Sequence, residues 1–225
     1  MSLASNEKID MSAVAAAKIA EVKAAFEAGA SLDDATVLEA LLSLEKKCRL
    51  CNDPQSTRLT ALTILGLVKE KKDWPRMNAL LKLLSKRRSQ MNMVISGIVT
   101  EGSTYLEPDA GLLPDDAARE ALLVTLKDIC DGKIYVEKER ALLTRQLAVM
   151  KEAAGDVAAA ADTLQEVHVE TYGSLSKREK IDFIEEQMRL TLAKGDNVRA
   201  YILSKKVQRK FLIEDDYQDL KVMTY

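Results

Sequence analysis

Apolar residues recur three and four positions apart along almost the whole chain, the spacing that lines one face of a helix. Ala15, Ile19, Val22 and Phe26 form the first stripe, and Val37, Leu41, Leu44 and Cys48 the second. Ala61, Ile64, Leu65 and Val68 come next, then Met77, Leu80, Leu81 and Leu84, then Met91, Val94, Ile95 and Ile98 leading through Gly102 to Leu106. In the second half the stripes are Leu122, Leu126 and Ile129; Val136, Leu143, Leu147 and Met150; and Val157, Ala160, Ala161, Leu164 and Val167. Ile181, Ile184, Met188 and Leu192 make a further one, and Ala200, Leu203, Val207 and Phe211 the last. No stretch rich in Val, Ile and Thr alternates between hairpin turns, so strands are not expected. The pattern predicts an all-α chain of about ten helices.

Between the stripes the punctuation repeats. A helical pattern ends at Ala154-Gly155-Asp156, and another at Lys194-Gly195-Asp196. Glycine supplies the left-handed backbone that closes a helix, and aspartate can cap the next one. The two turns are 196 − 156 = 40 residues apart, a period at home in stacked two-helix repeats. Asp33, Asp73 and Asp115 or Asp116 extend that interval toward the N-terminus. Ser31 or Asp33 is expected to cap the second helix, and Pro54 suits the first turn of the third. Lys72 to Pro75 is expected as a turn, as is the Pro- and Gly-bearing stretch Glu107 to Pro114. Around Tyr172-Gly173-Ser174, Gly173 is expected at positive φ, Ser174 or Ser176 as a cap, and Tyr172 as a buried side chain with its hydroxyl bonded. Helix pairs that bury one face against the next pair stack into a solenoid, an architecture that generally holds other proteins.

Composition narrows the function classes. The 225 residues carry a formal charge of −2, from 33 basic and 35 acidic side chains, so no strong uniform field draws nucleic acid or an anionic membrane. Aromatic residues are 4%, low for stacking on bases or sugars. Three cysteines, an odd number, argue against a secreted disulfide framework and fit a reducing compartment. No apolar run reaches the roughly 18 residues needed to cross a bilayer, and no signal pattern opens the chain. The expectation is a cytosolic or nuclear protein with a flexible segment at residues 1–10 and a helical repeat over residues 11–225.

Several motifs resemble chemistry and are better explained by structure. Gly97 to Thr104, GIVTEGST, has the glycines of a phosphate loop, but Ser103 stands where the lysine belongs and the segment follows a helix. Its glycines are expected to permit close helix approach or a kink. Cys48 and Cys51 have the gap of a zinc half-site, yet Cys130 and His168 are the remaining candidates and both are far away in sequence. Packed thiols are the better reading. His168 has no nucleophile near it in sequence and is read as a packed or surface residue. Glu185 and Glu186 are adjacent and point to different parts of a helix, so they form no acid and base pair. Ser85 to Gln90, SKRRSQ, is the densest basic run; a solvated helix end is its default reading, phosphate or an acidic partner surface could meet it, and a protein contact at that junction is the hypothesis. No catalytic, cofactor-binding or metal-ligating residue is assigned.

Four stretches carry a family resemblance: LLSLEKKCR (Leu41 to Arg49), LLSKRRSQ (Leu83 to Gln90), GKIYVEKERALLT (Gly132 to Thr144) and LQEVHVETYGSLSKREKIDFIEEQMRL (Leu164 to Leu190). They resemble the PCI-domain subunits of the 26S proteasome regulatory lid, in order and over about Leu41 to Phe211. Related PCI subunits of the COP9 signalosome are the nearest competitor, with a generic helical-repeat adaptor behind them. The resemblance implies a right-handed, TPR-like solenoid of antiparallel helix pairs in a scaffold subunit without catalytic activity. Family members continue into a C-terminal winged-helix module, so this chain is expected to be the N-terminal arm without it. Implied partners are other lid subunits including the deubiquitinase, with the base ATPases and core-particle surface as further contacts. No cofactor, nucleic acid, membrane or small-molecule substrate is implied.

Overall fold

Ten α-helices and no strand make up the computed structural model over its described residues, 9–107 and 111–207. In order they are α1 (Ser12–Glu27), α2 (Ala40–Leu50), α3 (Pro54–Glu70), α4 (Trp74–Ser85), α5 (Asn92–Thr104), α6 (Asp116–Cys130), α7 (Glu137–Ala153), α8 (Val157–Gln165), α9 (Lys177–Ala193) and α10 (Asn197–Ser204). A π-helical turn, Ala35–Glu39, runs into α2, and single 3-10 turns, Ile134–Val136 and Val169–Thr171, precede α7 and follow α8. The all-α reading holds. The expected final stripe position Phe211 lies outside the described residues, as do residues 1–8. Of the segment expected to be flexible, Ile9 donates its amide to the Cys51 carbonyl at 3.1 Å, and the Asp10 carboxylate accepts from Ser12 N at 2.8 Å.

One turn design recurs. A residue in the left-handed region closes a helix, and the aspartate after it caps the next: Asn52-Asp53 before α3, Lys72-Asp73 before α4, Gly155-Asp156 before α8, and Gly195-Asp196 before α10. In each case the aspartate's own amide reaches back to a carbonyl five residues earlier: Cys48, Val68, Lys151 and Thr191 respectively. The pairing therefore satisfies end groups of both helices with three residues of chain. Adjacent helices joined by so short a link fold back on each other.

Asp115 joins the capping residues by accepting Ala118 N at 2.7 Å. Asp33 does not. Its carboxylate pairs with Arg76 at 2.7 Å, and it is Asp34 that accepts the Ser31 amide. Trp74, expected in a turn, is the first residue of α4, with Pro75 inside the first turn where its missing amide costs nothing.

The chain divides into two compact units at Ile129/Cys130. In the first, α3 is the central rod and packs on α1, α2, α4 and α5. Its buried face mixes Ala61, Ile64, Leu65 and Val68 with Thr57, Thr60 and Thr63. Each threonine returns its hydroxyl to the carbonyl four residues earlier, so none of the three hydroxyls is stranded by burial. Trp74 and Tyr105 meet edge to face, centroids 6.1 Å apart. In the second unit each helix packs on its successor, α7 on α8, α8 on α9 and α9 on α10. Its core runs from Ala141 and Ala148 through Ala160, Ala161 and Leu164 to Ile181, Phe183, Ile184, Leu190 and Leu203.

Helix α9 departs from the expected stripe. Leu192 is exposed, and the buried face is Ile181, Phe183, Ile184, Gln187, Leu190 and Thr191. The cause is that two polar residues are satisfied inside. Gln187 Nε2 donates to the Leu164 and Val167 carbonyls at 2.8 and 2.9 Å, closing the C-terminal end of α8, and Thr191 Oγ1 donates to the Gln187 carbonyl.

Candidate functional site

The segment joining α8 to α9 forms the corner of the second unit. Tyr172 is buried, and Arg140 bonds to its hydroxyl. Ser174 N donates to Glu137 Oε1 at 2.8 Å, across 37 residues of sequence. Gly173 is not at positive φ, contrary to expectation. A side chain there would face the Glu137 carboxylate, 3.8 Å from where a Cβ would sit. Ser176 supplies the cap of α9 as a full capping box with Glu179, while Ser174 does not. Hydrogen bonds from Lys138 and from the Ser176 amide and hydroxyl hold the Glu179 carboxyl down at about 2.

Beside this corner lies a cleft lined by Gln165, His168, Gln187, Arg199, Ile202 and Lys206 over the buried Leu203. At about 190 Å³ it is smaller than the ~300 Å³ at which small-molecule sites begin. Gln165 accepts from Arg199 Nη1 and donates to Thr191 Oγ1 at 3.1 Å. Lys206 pairs with Glu170 at 2.6 Å, and burial of the Glu170 carboxyl, which would raise its pKa, is outweighed by that bond together with a bond from its own main chain and the charges of Lys206 and His168. Sequence reasoning singled out His168 alone here. Gln187 and Arg199 come to it only through the fold, and no spacing rule signals that.

The motifs weighed in sequence find structural roles. On α5, a Cβ on Gly97 would sit 2.5 Å from Arg58 Nε, and one on Gly102 would sit 2.7 Å from Leu126 Cδ2. Both glycines lie within a helix and let neighbouring side chains lie against its backbone, as expected. Cys48 and Cys130 are buried, and that burial pushes their thiols up to about 11 and about 12, far from the thiolate that metal binding or nucleophilic attack requires. Among the described residues no three His, Cys, Asp or Glu side chains gather as a metal site. The His168 ring is 65% exposed and 3.9 Å from Glu170, a surface residue.

The basic run is divided, with Arg87 and Gln90 turned toward a buried carboxylate and Lys86 and Arg88 toward solvent. Glu45, wholly buried on α2, binds Arg49 Nε at 3.0 Å and Gln90 Nε2 at 3.1 Å, with Arg87 Nε 3.9 Å away. Arg49 also donates to the Arg88 carbonyl at 2.6 Å, and Gln90 to the Leu84 carbonyl at 2.9 Å. Run and carboxylate together clasp the α4–α5 loop to α2. Lys86 and the Arg88 side chain remain exposed.

Outward apolar side chains mark two other faces of the second unit. Tyr135, Leu142 and Val149 stand seven residues apart along the 3-10 turn and α7, and Val198, Tyr201 and Ile202 stand on α10. Neither set forms part of the core. Exposed apolar rows of this kind are suited to contact with other proteins.

Comparison with known proteins fits this geometry of rods and outward faces. The family model described as PSMD12/CSN4, N-terminal, matches residues 36–225. The 26S proteasome non-ATPase regulatory subunit 12 of Dictyostelium discoideum is 44% identical over 185 residues, covering 82% of this chain and 40% of the relative. Homolog A of that subunit in Arabidopsis thaliana is 43% identical over 184 residues, covering 82% and 41%. The 26S proteasome regulatory subunit RPN5 of Saccharomyces cerevisiae is 37% identical over 190 residues, covering 84% and 42%. The chain thus spans well under half the length of these relatives. With the family match running from the π-helical turn before α2 through both units, the chain belongs to the PSMD12/CSN4 N-terminal family.

Proposed function

We propose that this chain is a non-catalytic scaffold arm of the 26S proteasome regulatory-particle lid, acting in lid assembly and so in ubiquitin-dependent protein degradation. The observation that carries the reading is the identity of 37–44% with proteins named as 26S proteasome regulatory subunits, sustained over more than four fifths of the chain. The physics agrees with it. Buried thiols with raised pKa, and apolar side chains left exposed along α7 and α10, suit a protein that works by contact.

Its partners in this reading are other lid subunits, the deubiquitinase subunit among them, with base ATPases and the core-particle surface as further contacts. In this reading the protein works in cytoplasm and nucleus. Capture of the tagged chain from native extract tests the proposal: lid subunits co-elute if it is right. Recovery of COP9 signalosome subunits instead would assign the chain to the other branch of the family.

A further inference from the structure

Ser89 is exposed in the turn between α4 and α5, with its backbone at φ 61°. The turn is closed by the Gln90 amide on the Arg87 carbonyl at 3.1 Å. Among the described residues the Ser89 hydroxyl makes no hydrogen bond, whereas that of Ser85 is spent on the Lys82 carbonyl at 3.1 Å. Lys86, Arg87 and Arg88 lead directly into Ser89, and no other serine or threonine of the chain follows three consecutive cations. From Trp74 to Thr100 the chain holds five cations and no carboxylate. A further cation reaches the site through the fold: Arg49 Nη1 donates to the Arg88 carbonyl, on the peptide group that links Arg88 to Ser89. The acid beneath the turn, Glu45, is wholly buried and held by Arg49 and Gln90.

A free surface hydroxyl, preceded by a run of cations and with no exposed acid in the segment around it, suits a kinase whose substrate groove is acidic. We propose that Ser89 is a phosphorylation site for a basic-directed Ser/Thr kinase. Ser89 Oγ attacks the γ-phosphorus of ATP, the bond from that phosphorus to the bridging oxygen breaks, and ADP leaves with the electron pair. The hydroxyl proton passes to the kinase's catalytic carboxylate. Presenting the run breaks no hydrogen bond of the Arg87 side chain, which makes none among the described residues and lies 3.9 Å from Glu45. The phosphate brings a charge of about −2 beside the exposed Lys86 and Arg88, so the outward positive charge of this helix end is cancelled. The inference does not depend on which assembly the chain joins.

The test uses the full 225-residue chain, folded, with MgATP and the catalytic subunit of cAMP-dependent protein kinase. An acid-directed casein kinase runs in parallel, and fragmentation mass spectrometry locates the phosphate. The expected result is one phosphate, on Ser89, from the basic-directed enzyme alone, and none in Ser89→Ala. Replacing both exposed cations, Lys86→Ala with Arg88→Ala, lowers the initial rate about tenfold or more at unchanged Tm. A free peptide of residues 83–93 serves as the reference for an unfolded site. Labelling of that peptide but not of the folded chain would show that the fold withholds Ser89, and would overturn the proposal. Phosphate placed elsewhere, equal labelling by the acid-directed kinase, or an undiminished rate in the double variant would overturn it as well.

Discussion

Asp53 accepts the Met11 amide at 2.9 Å through one carboxylate oxygen while the other caps α3 through Gln55 N and Ser56 N. One carboxylate thus ties the start of α1 to the α2–α3 turn. Burial would raise its pKa, but bonds from the Ser56 hydroxyl and from the Met11, Ser56 and Gln55 amides outweigh that and hold it below the ordinary value. A depressed carboxyl stabilises the fold at pH above its unfolded value, about 3.9, and that contribution disappears as pH falls through the folded value. Glu179 acts in the same direction, with loss continuing down to about 2. Thermal melts between pH 6 and pH 2 should show Tm falling mainly below pH 4. Asp53→Ala should cost about 1–2 kcal/mol at pH 7 and flatten that fall.

The left-handed turn residues allow a test with two signs. Lys72 sits at φ 56° where Gly155 and Gly195 sit at 86° and 88°. A side chain in that region costs about 1 kcal/mol or more. Lys72→Gly should therefore raise stability, by up to about 1 kcal/mol, while Gly155→Ala should lower it by a similar amount. Urea midpoints of the two variants, at unchanged slope, check the pair.

These turns also mark what the sequence makes legible. Gly155 and Gly195 announce the design because glycine prefers it. Asn52 and Lys72 adopt the same backbone under the pull of the helices on either side, and lysine carries no signal of it. The same holds in α9, where Leu192 belongs to an apolar spacing and yet faces solvent, because Gln187 and Thr191 satisfy their hydrogen bonds inside. Apolar periodicity locates a helix but cannot see that a polar residue has found a partner. The run from Ser85 to Gln90 was legible as charge and not as structure, since the carboxylate that gathers it, Glu45, lies 40 or more residues upstream. The cleft is the extreme case: Gln187, Arg199 and His168 meet only after three helices have packed.

Glu45 sets the next prediction. Removing it by Glu45→Ala leaves Arg49 in a largely buried site without its partner, a loss of about 3 kcal/mol. Arg87→Glu puts a second carboxylate beside Glu45 and should lower Tm, whereas Arg88→Glu, exposed and used only through its carbonyl, should leave folding unchanged. Calorimetry on the three variants distinguishes a clasp from a docking patch. Loss of partner binding in Arg88→Glu at unchanged Tm would restore an outward role to the run.

The two glycines of α5 should respond unequally. Gly102→Ala drives a methyl into Leu126, a fully buried side chain, and overpacking of this kind costs about 1–3 kcal/mol. Gly97→Ala meets the Arg58 side chain, which is partly exposed and can swing aside, so its cost should be smaller. Denaturant unfolding of both variants gives the comparison.

The scaffold reading rests most directly on what the chain holds in a cell extract. Capture of the tagged chain, followed by mass spectrometry of the eluate, should recover 26S lid subunits in near-equal amounts, and should do so equally for Cys48→Ser and His168→Gln variants. Recovery of signalosome subunits in their place, or of no stoichiometric companion at all, would contradict it.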